Sequence, residues 1–193
     1  SCFKKDILNL VYLSEYFGLP EVASFWEEVV KLNTWHQHRI SKLITKKLFG
    51  TLSGKKIAVL GFAFKSNTND TRESAAIQIC KDLIDEGANL RIHDPKVSLK
   101  QIALDLKQEP VLKSEANQLN NINEGSWESA SDIEIALNES DAAVILTEWE
   151  DYSEINWKKV SSKMRSPAWV FDARSVVEPK SIVESGLNFW RVG

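Results

Sequence analysis

Apolar and polar positions change period near residue 50. Before it, apolar residues recur at helical spacing. Ile7, Leu10, Val11, Ser14 and Phe17 share one face, with Leu8 and Tyr12 beside it, which predicts a helix over 5–17. Asp6 falls in the first turn of that helix, where a carboxylate suits the helix dipole. Gly18 stops the helix, and Pro20 opens the next at a position that tolerates proline. The second helix is predicted over 20–49 and ends at Gly50. At 1.5 Å per residue it runs roughly 45 Å, longer than a small domain is wide. Its inner stripe reads Val22, Trp26, Val29, Asn33, Gln37, Ile40, Ile44 and Leu48. Such a length suits a bridge between two domains or a dimerisation element. Asn33 and Gln37 interrupt the stripe, and mark either a crossing point or ligand edge or a solvated gap between two packed ends.

From residue 55 the chain alternates between strand and helix patterns. Short apolar runs predict strands over 55–60, 89–93, 141–146, 168–171 and 187–192. Between them lie helical patterns: one starting near Arg72, capped by Asp70 or Thr71, with its apolar face over 74–83, then 96–106, 131–138, part of 149–164 and 180–185. Residues 107–127 are polar and rich in Asn, Gln and Glu, an insertion loop with room for one short strand around Val111 or Ile122. Strand–helix alternation with short links implies an α/β fold: a Rossmann-like, doubly wound, mostly parallel sheet covered on both faces. Residues 1–50 then form a helical central or dimerisation region, and 51–193 the α/β domain.

Composition narrows the partners. The chain has 193 residues, 43% hydrophobic and 26% charged, with a net charge of -3, which argues against a nucleic-acid or anionic-membrane surface. No apolar stretch approaches the ~20 residues needed to span a bilayer, and SCFKKD does not open a signal peptide. Two cysteines, Cys2 and Cys80, are too few for a disulfide framework and point to a reducing, cytoplasmic setting. The seven tryptophans are expected in the core or at subunit contacts. The chain begins at Ser1 without an initiator methionine and enters a helical pattern at once, which reads as a piece of a longer protein.

Candidate chemistry gathers at strand ends. A dinucleotide fingerprint after the first strand would read G-x-G-x-x-G, but the chain reads GFAFKS, with Ala63 and Ser66 in place of the second and third glycines. Close approach of a pyrophosphate is disfavoured, and the sheet is a poor NAD site by itself. Phe64 and Lys65 suit a planar or sugar group and an anion; alternatively Phe64 is core and Lys65 solvated. Arg72 either holds a phosphate at a helix N-terminus or pairs with Asp70 or Glu73. Arg174 follows AWVFD at another strand end, so Lys65 and Arg174 are expected to converge on one crevice. Cys2 precedes a helix N-terminus and two lysines, Lys4 and Lys5, surroundings that make a thiol more nucleophilic. Asp6, one turn on, is placed to steer a water or proton; alternatively Cys2 is a small buried residue and Asp6 a cap. Cys80 reads as core, and His36, His38 and His93 make no metal pattern.

Together SCFKKD, GFAFKSNTNDTRES, the TEW of 147–149 and the FDAR of 171–174 resemble the UDP-glucose 6-dehydrogenase family in order and spacing, and the DTRES run and the 107–127 insertion look closer to its eukaryotic members. The resemblance covers essentially the whole chain and the C-terminal part of the family's protein. It implies oxidation of UDP-glucose to UDP-glucuronate with two NAD⁺ by a protein built of an N-terminal NAD-binding domain, a long central helix and a C-terminal UDP-binding α/β domain. By the same resemblance Cys2 is the nucleophile that forms a thiohemiacetal and then a thioester, and Asp6 assists hydrolysis. Phe64, Lys65 and Arg174 contact the UDP-sugar. Arg72 reaches NAD, which Cys2, Phe3, Lys4 and Lys5 line, and NAD is held mainly by a domain outside this chain. The resemblance further implies a homo-oligomer, a dimer or an assembly of dimers, and a fragment without turnover of its own. Two other readings stand beside it: a dehydrogenase for another nucleotide sugar, such as GDP-mannose or UDP-N-acetylmannosamine, and a non-catalytic nucleotide-sugar-binding or oligomerisation module.

Overall fold

The computed structural model describes residues 2–111 and 124–192, with Cys2 described by its backbone alone. Helix α1 spans Cys2–Tyr16. It begins three residues before the apolar periodicity does, so Asp6 lies in its second turn rather than its first. The turn at Gly18, with φ 72°, reverses the chain. Helix α2 follows over Pro20–Lys47, 28 residues with proline in its first turn, or about 42 Å. Its N-terminal half packs on α1 and its C-terminal half on the α/β unit. The predicted stripe is buried only at that second end, through Ile40, Ile44 and Leu48. Val22 is 42% exposed, and Ala23 is the buried residue there.

The α/β unit comprises β1 (Lys56–Leu60), α3 (Ala75–Asp85), β2 (Asn89–His93), α4 (Leu99–Leu106), β3 (Ser126–Ser129), α5 (Ile133–Leu137), β4 (Ala142–Ile145), α6 (Glu150–Ser153), α7 (Trp157–Ser161), β5 (Trp169–Asp172), α8 (Pro179–Glu184) and β6 (Asn188–Arg191). Six strands form one sheet in the order β3-β2-β1-β4-β5-β6, and every pairing is parallel. β1 and β4 are the central strands, and Ile57 to Leu60 and Ala142 to Ile145 are fully buried. That is why they read as unbroken apolar runs. Trp127, Trp149 and Trp157 are buried, while Trp35 is 55% exposed.

Two expectations change. Strand β3 begins at the end of the stretch read as an insertion loop, 107–127, and runs two residues past it. Only Trp127 of SWES is buried, because β3 is an edge strand paired with β2 alone, and so few apolar residues leave no period to read. Val111 is not itself in a strand, although its N–H donates to the Trp127 carbonyl at 2.8 Å; Ile122 lies outside the described residues. Helix α3 starts at Ala75, not near Arg72, and its cap is Ser74, whose Oγ accepts from the Ala76 N–H at 3.3 Å and donates to the Phe62 carbonyl at 2.8 Å. Asp70 does not cap because Arg72 takes its carboxylate, and Glu73, at φ 60°, breaks the helical path.

A polar cluster fastens α2 to α3. Asp82 accepts from Ser41 Oγ at 2.5 Å and Gln78 Nε2 at 2.8 Å, and its Oδ2 lies 2.7 Å from His38 Nδ1. Losing Asp82 removes the shared partner of all three side chains, although the buried Ser41 hydroxyl keeps the His38 carbonyl at 2.9 Å as an acceptor. Asp82→Ala is expected to destabilise the chain by about 2 kcal/mol, measured by urea denaturation. No change in midpoint would show that apolar packing alone holds the two helices.

Candidate functional site

Winding reverses between β1 and β4, so the loops leaving β1, β4 and β5 meet at one end of the sheet, where ligands of such folds bind. The β1 loop comes within touching distance of β4. Gly61 has φ 95°, and a Cβ there would fall 2.4 Å from Thr147 Cβ. Only glycine allows this approach. Thr147 Oγ1 then donates to the Ala63 carbonyl at 2.7 Å.

Asp94, at the end of β2, ties the corner together. Its Oδ2 accepts from the N–H groups of Phe62 (2.7 Å) and Ala63 (2.9 Å) and from Trp149 Nε1 (3.2 Å). Its Oδ1 accepts from the N–H groups of Lys96 and Val97, both at 2.9 Å. A carboxylate thus fills the loop donors that a pyrophosphate would need, in a turn already lacking two glycines. The β1 loop does not fit NAD. Below it, His93 Nδ1 lies 3.1 Å from Tyr152 Oη, and burial lowers the histidine pKa and raises that of the tyrosine.

Arg174 follows β5. Its N–H donates to Oδ1 of the fully buried Asp172 at 2.9 Å, while Oδ2 of that carboxylate accepts from Val176 and Val177. The Arg174 guanidinium donates through Nε to Glu148 Oε2 at 2.7 Å and through Nη2 to the Phe64 carbonyl at 3.0 Å. Each residue of the TEW run therefore has a partner across the crevice: Thr147 the β1 loop, Glu148 the β5 loop, Trp149 the end of β2.

A cavity of about 330 Å³ opens between this corner and the two long helices. Phe3 and Lys4 come from the start of α1, Asn33 and Gln37 from α2, and Phe64 and Arg174 from the loops. The polar break in the α2 stripe is thus cavity wall. His36 shares that wall, while His38 turns to Asp82. Lys4 Nζ pairs with Glu73 at 3.1 Å, and this contact joins α1 to the β1 loop. Arg72 pairs with Asp70 through Nη2 at 2.8 Å, and this hydrogen bond pulls the Asp70 carboxyl down to about 2. Cations and carboxylates at the rim are thus largely matched.

The cavity gathers some sequence candidates and leaves others apart. Phe3, Lys4, Phe64 and Arg174 line it. Lys65 is exposed and is not among the lining residues, so it does not join Arg174 there. Arg72, Lys5 and Asp6 are also exposed and outside the lining. Cys2 is the first residue of α1, next in sequence to the cavity-lining Phe3. Cys80 is buried, and burial raises its thiol pKa. Sequence gives Asp94 and Glu148 no role and offers Glu73 only as a partner of Arg72, not of Lys4, because each sits between elements, where sequence shows an acid and not the distant N–H or cation it meets.

The family model for the UDP binding domain of the UDP-glucose/GDP-mannose dehydrogenase family matches residues 58–179. The chain belongs to the UDP-glucose/GDP-mannose dehydrogenase family. The match runs from β1 into α8 and so includes the crevice. The chain is 41% identical over 193 residues to the UDP-glucose 6-dehydrogenase of Drosophila melanogaster, covering 100% of this chain and 40% of that protein. It is 47% identical over 178 residues to the Gallus gallus UDP-glucose 6-dehydrogenase, covering 92% of this chain and 35% of that one. It therefore spans well under half the length of these relatives. A solved UDP-glucose dehydrogenase from Pyrobaculum islandicum shares the fold, with TM-score 0.69 and 24% identity over 100% of this chain and 37% of that one. Among the described residues no helix is long and apolar enough to cross a membrane.

Proposed function

We propose that this chain is the UDP-sugar-binding part of an NAD-dependent UDP-glucose 6-dehydrogenase, which converts UDP-glucose to UDP-glucuronate. The observation that carries the reading is the cavity in which the start of α1, the middle of α2 and the loops after β1 and β5 meet, with Arg174 held at its wall. Residues 51–193 are read as the UDP-binding domain, and 1–50 as a central region that brings the reactive helix start to it. Phe64 offers a ring face to the ligand, and Arg174 offers its guanidinium to the phosphates. Lys65 adds positive charge from outside the cavity. Cys2 is the nucleophile, carrying the acyl group as a thioester, and Asp6 assists its hydrolysis. NAD is bound outside this chain, with Arg72 and Cys2 to Lys5 at its edge, since Asp94 occupies the N–H groups of the β1 loop.

The intact protein is read as a cytoplasmic homo-oligomer. Large apolar side chains left exposed on α1, α2 and the turn between them, including Tyr16, Phe17, Phe25 and Trp35, support its association with a second copy or with the rest of the same protein.

Calorimetric titration of the purified chain tests the reading. UDP is expected to bind, with GDP weaker, and Arg174→Ala to weaken UDP about tenfold or more. Incubation of the chain with UDP-glucose and NAD⁺ is expected to form no NADH. Absence of UDP binding, or GDP binding as tightly as UDP, would overturn the reading, as would appreciable oxidation by the chain alone.

A further inference from the structure

We propose that Glu148 is a positioning residue that orients Arg174 toward the phosphate groups of the ligand; this inference rests on the UDP-sugar reading above. A guanidinium has five N–H donors. Glu148 Oε2 takes Nε, and the Phe64 carbonyl takes one N–H of Nη2. The Nη1 group and the second Nη2 N–H remain for an anion at the cavity that Arg174 lines. The protein thus holds the side edge of the guanidinium and leaves its end-on fork for a bidentate phosphate contact.

The platform under Glu148 is rigid. Thr147 on one side is bonded to the Ala63 carbonyl, and Trp149 on the other to Asp94. The Arg174 backbone is anchored on buried Asp172. The ion pair itself is well exposed, with side-chain exposures of 37% for Arg174 and 41% for Glu148. Such pairs add little to folding stability. What the contact does supply is a fixed rotamer for a long side chain, whose disorder a ligand would otherwise have to remove. Glu148 does not sit on the fork, so it orients Arg174 without competing for it.

The test compares the wild-type chain with Glu148→Gln, Glu148→Ala, Arg174→Ala and the Glu148→Gln/Arg174→Ala double variant, each titrated with UDP and with uridine. Glu148→Gln keeps the shape and an acceptor oxygen and removes the charge. It is expected to weaken UDP about fivefold, with a larger loss for Glu148→Ala and no change for uridine. In the Arg174→Ala background, Glu148→Gln is expected to have no further effect. A nitrogen-15 NMR spectrum of the ligand-free chain provides a second readout: the Arg174 Nε–H signal is expected to be visible in the wild type and lost in Glu148→Ala. Unchanged or tighter UDP binding by Glu148→Gln, or an effect that persists without Arg174, would overturn the proposal. If the wild type binds no UDP, the functional reading fails; an Nε–H signal that survives in Glu148→Ala then sinks the positioning role as well, and its loss upholds it.

Discussion

Cys2→Ser in the intact protein is expected to lower kcat by about a thousandfold or more while leaving UDP affinity within about twofold. A serine hydroxyl lacks the thiolate that a cysteine supplies near neutral pH, and an ester is a poor substitute for a thioester as the acyl carrier. Cys2 is the first residue of a 15-residue helix, where unpaired backbone N–H groups favour an anion. The UDP contacts proposed here lie on other elements, the loops after β1 and β5, so removing one sulfur leaves them intact. Steady-state kinetics and calorimetry on the same preparation check the split. Alkylation adds a control: Cys80 is buried and its thiol pKa is raised, so a thiol reagent at neutral pH is expected to label Cys2 first. Equal loss of turnover and of UDP binding in Cys2→Ser would mark the cysteine as structural.

Asp94→Ala is the substitution expected to harm the fold most, by about 3–5 kcal/mol. One carboxylate accepts from four backbone N–H groups and one indole, at residues Phe62, Ala63, Lys96, Val97 and Trp149. Alanine leaves all five donors without that acceptor at a half-buried corner where water replaces it poorly. The loss is a large share of the ~5–15 kcal/mol that holds a domain folded. Asp94→Asn keeps one acceptor oxygen but turns an amide N–H₂ toward other donors, so an intermediate loss is expected. Urea denaturation followed by tryptophan fluorescence measures both, with Trp149 one of the seven reporters. A midpoint unchanged in Asp94→Ala would show that the corner is held by packing alone. Because two of the lost contacts hold Phe62 and Ala63, just before the cavity-lining Phe64, a folded Asp94→Ala chain is also expected to bind UDP more weakly.

Much of this architecture is written in local pattern. Ile57 to Leu60 and Ala142 to Ile145 are buried on both faces, so their apolar runs announce central parallel strands. Gly18 and Pro20 mark the reversal between α1 and α2 because each acts through its own backbone geometry. The loss of two glycines from GFAFKS likewise argues against a dinucleotide site before any coordinate is seen. The four short motifs lead to the right family for a similar reason: their residue types and spacing are local quantities.

Other features depend on partners far along the chain, and only the tertiary structure decides them. Ser74, not Asp70, caps α3, because Arg72 takes the aspartate and Phe62, twelve residues away, receives the serine hydroxyl. Strand β3 exists because β2 offers it an edge, not because SWES has a strand period. Asn33 and Gln37 break a helical stripe in sequence; in space they line a cavity with Arg174, well over a hundred residues later. Asp94 and Glu148 are acids in turns until Phe62, Trp149 and Arg174 are brought to them. Periodicity reports which face of an element is buried, whereas a hydrogen bond between distant turns is set by how those elements pack. The sequence by itself therefore determined the order of five of the six strands and the family, and the packing decided the remaining edge strand and which charges meet at the crevice.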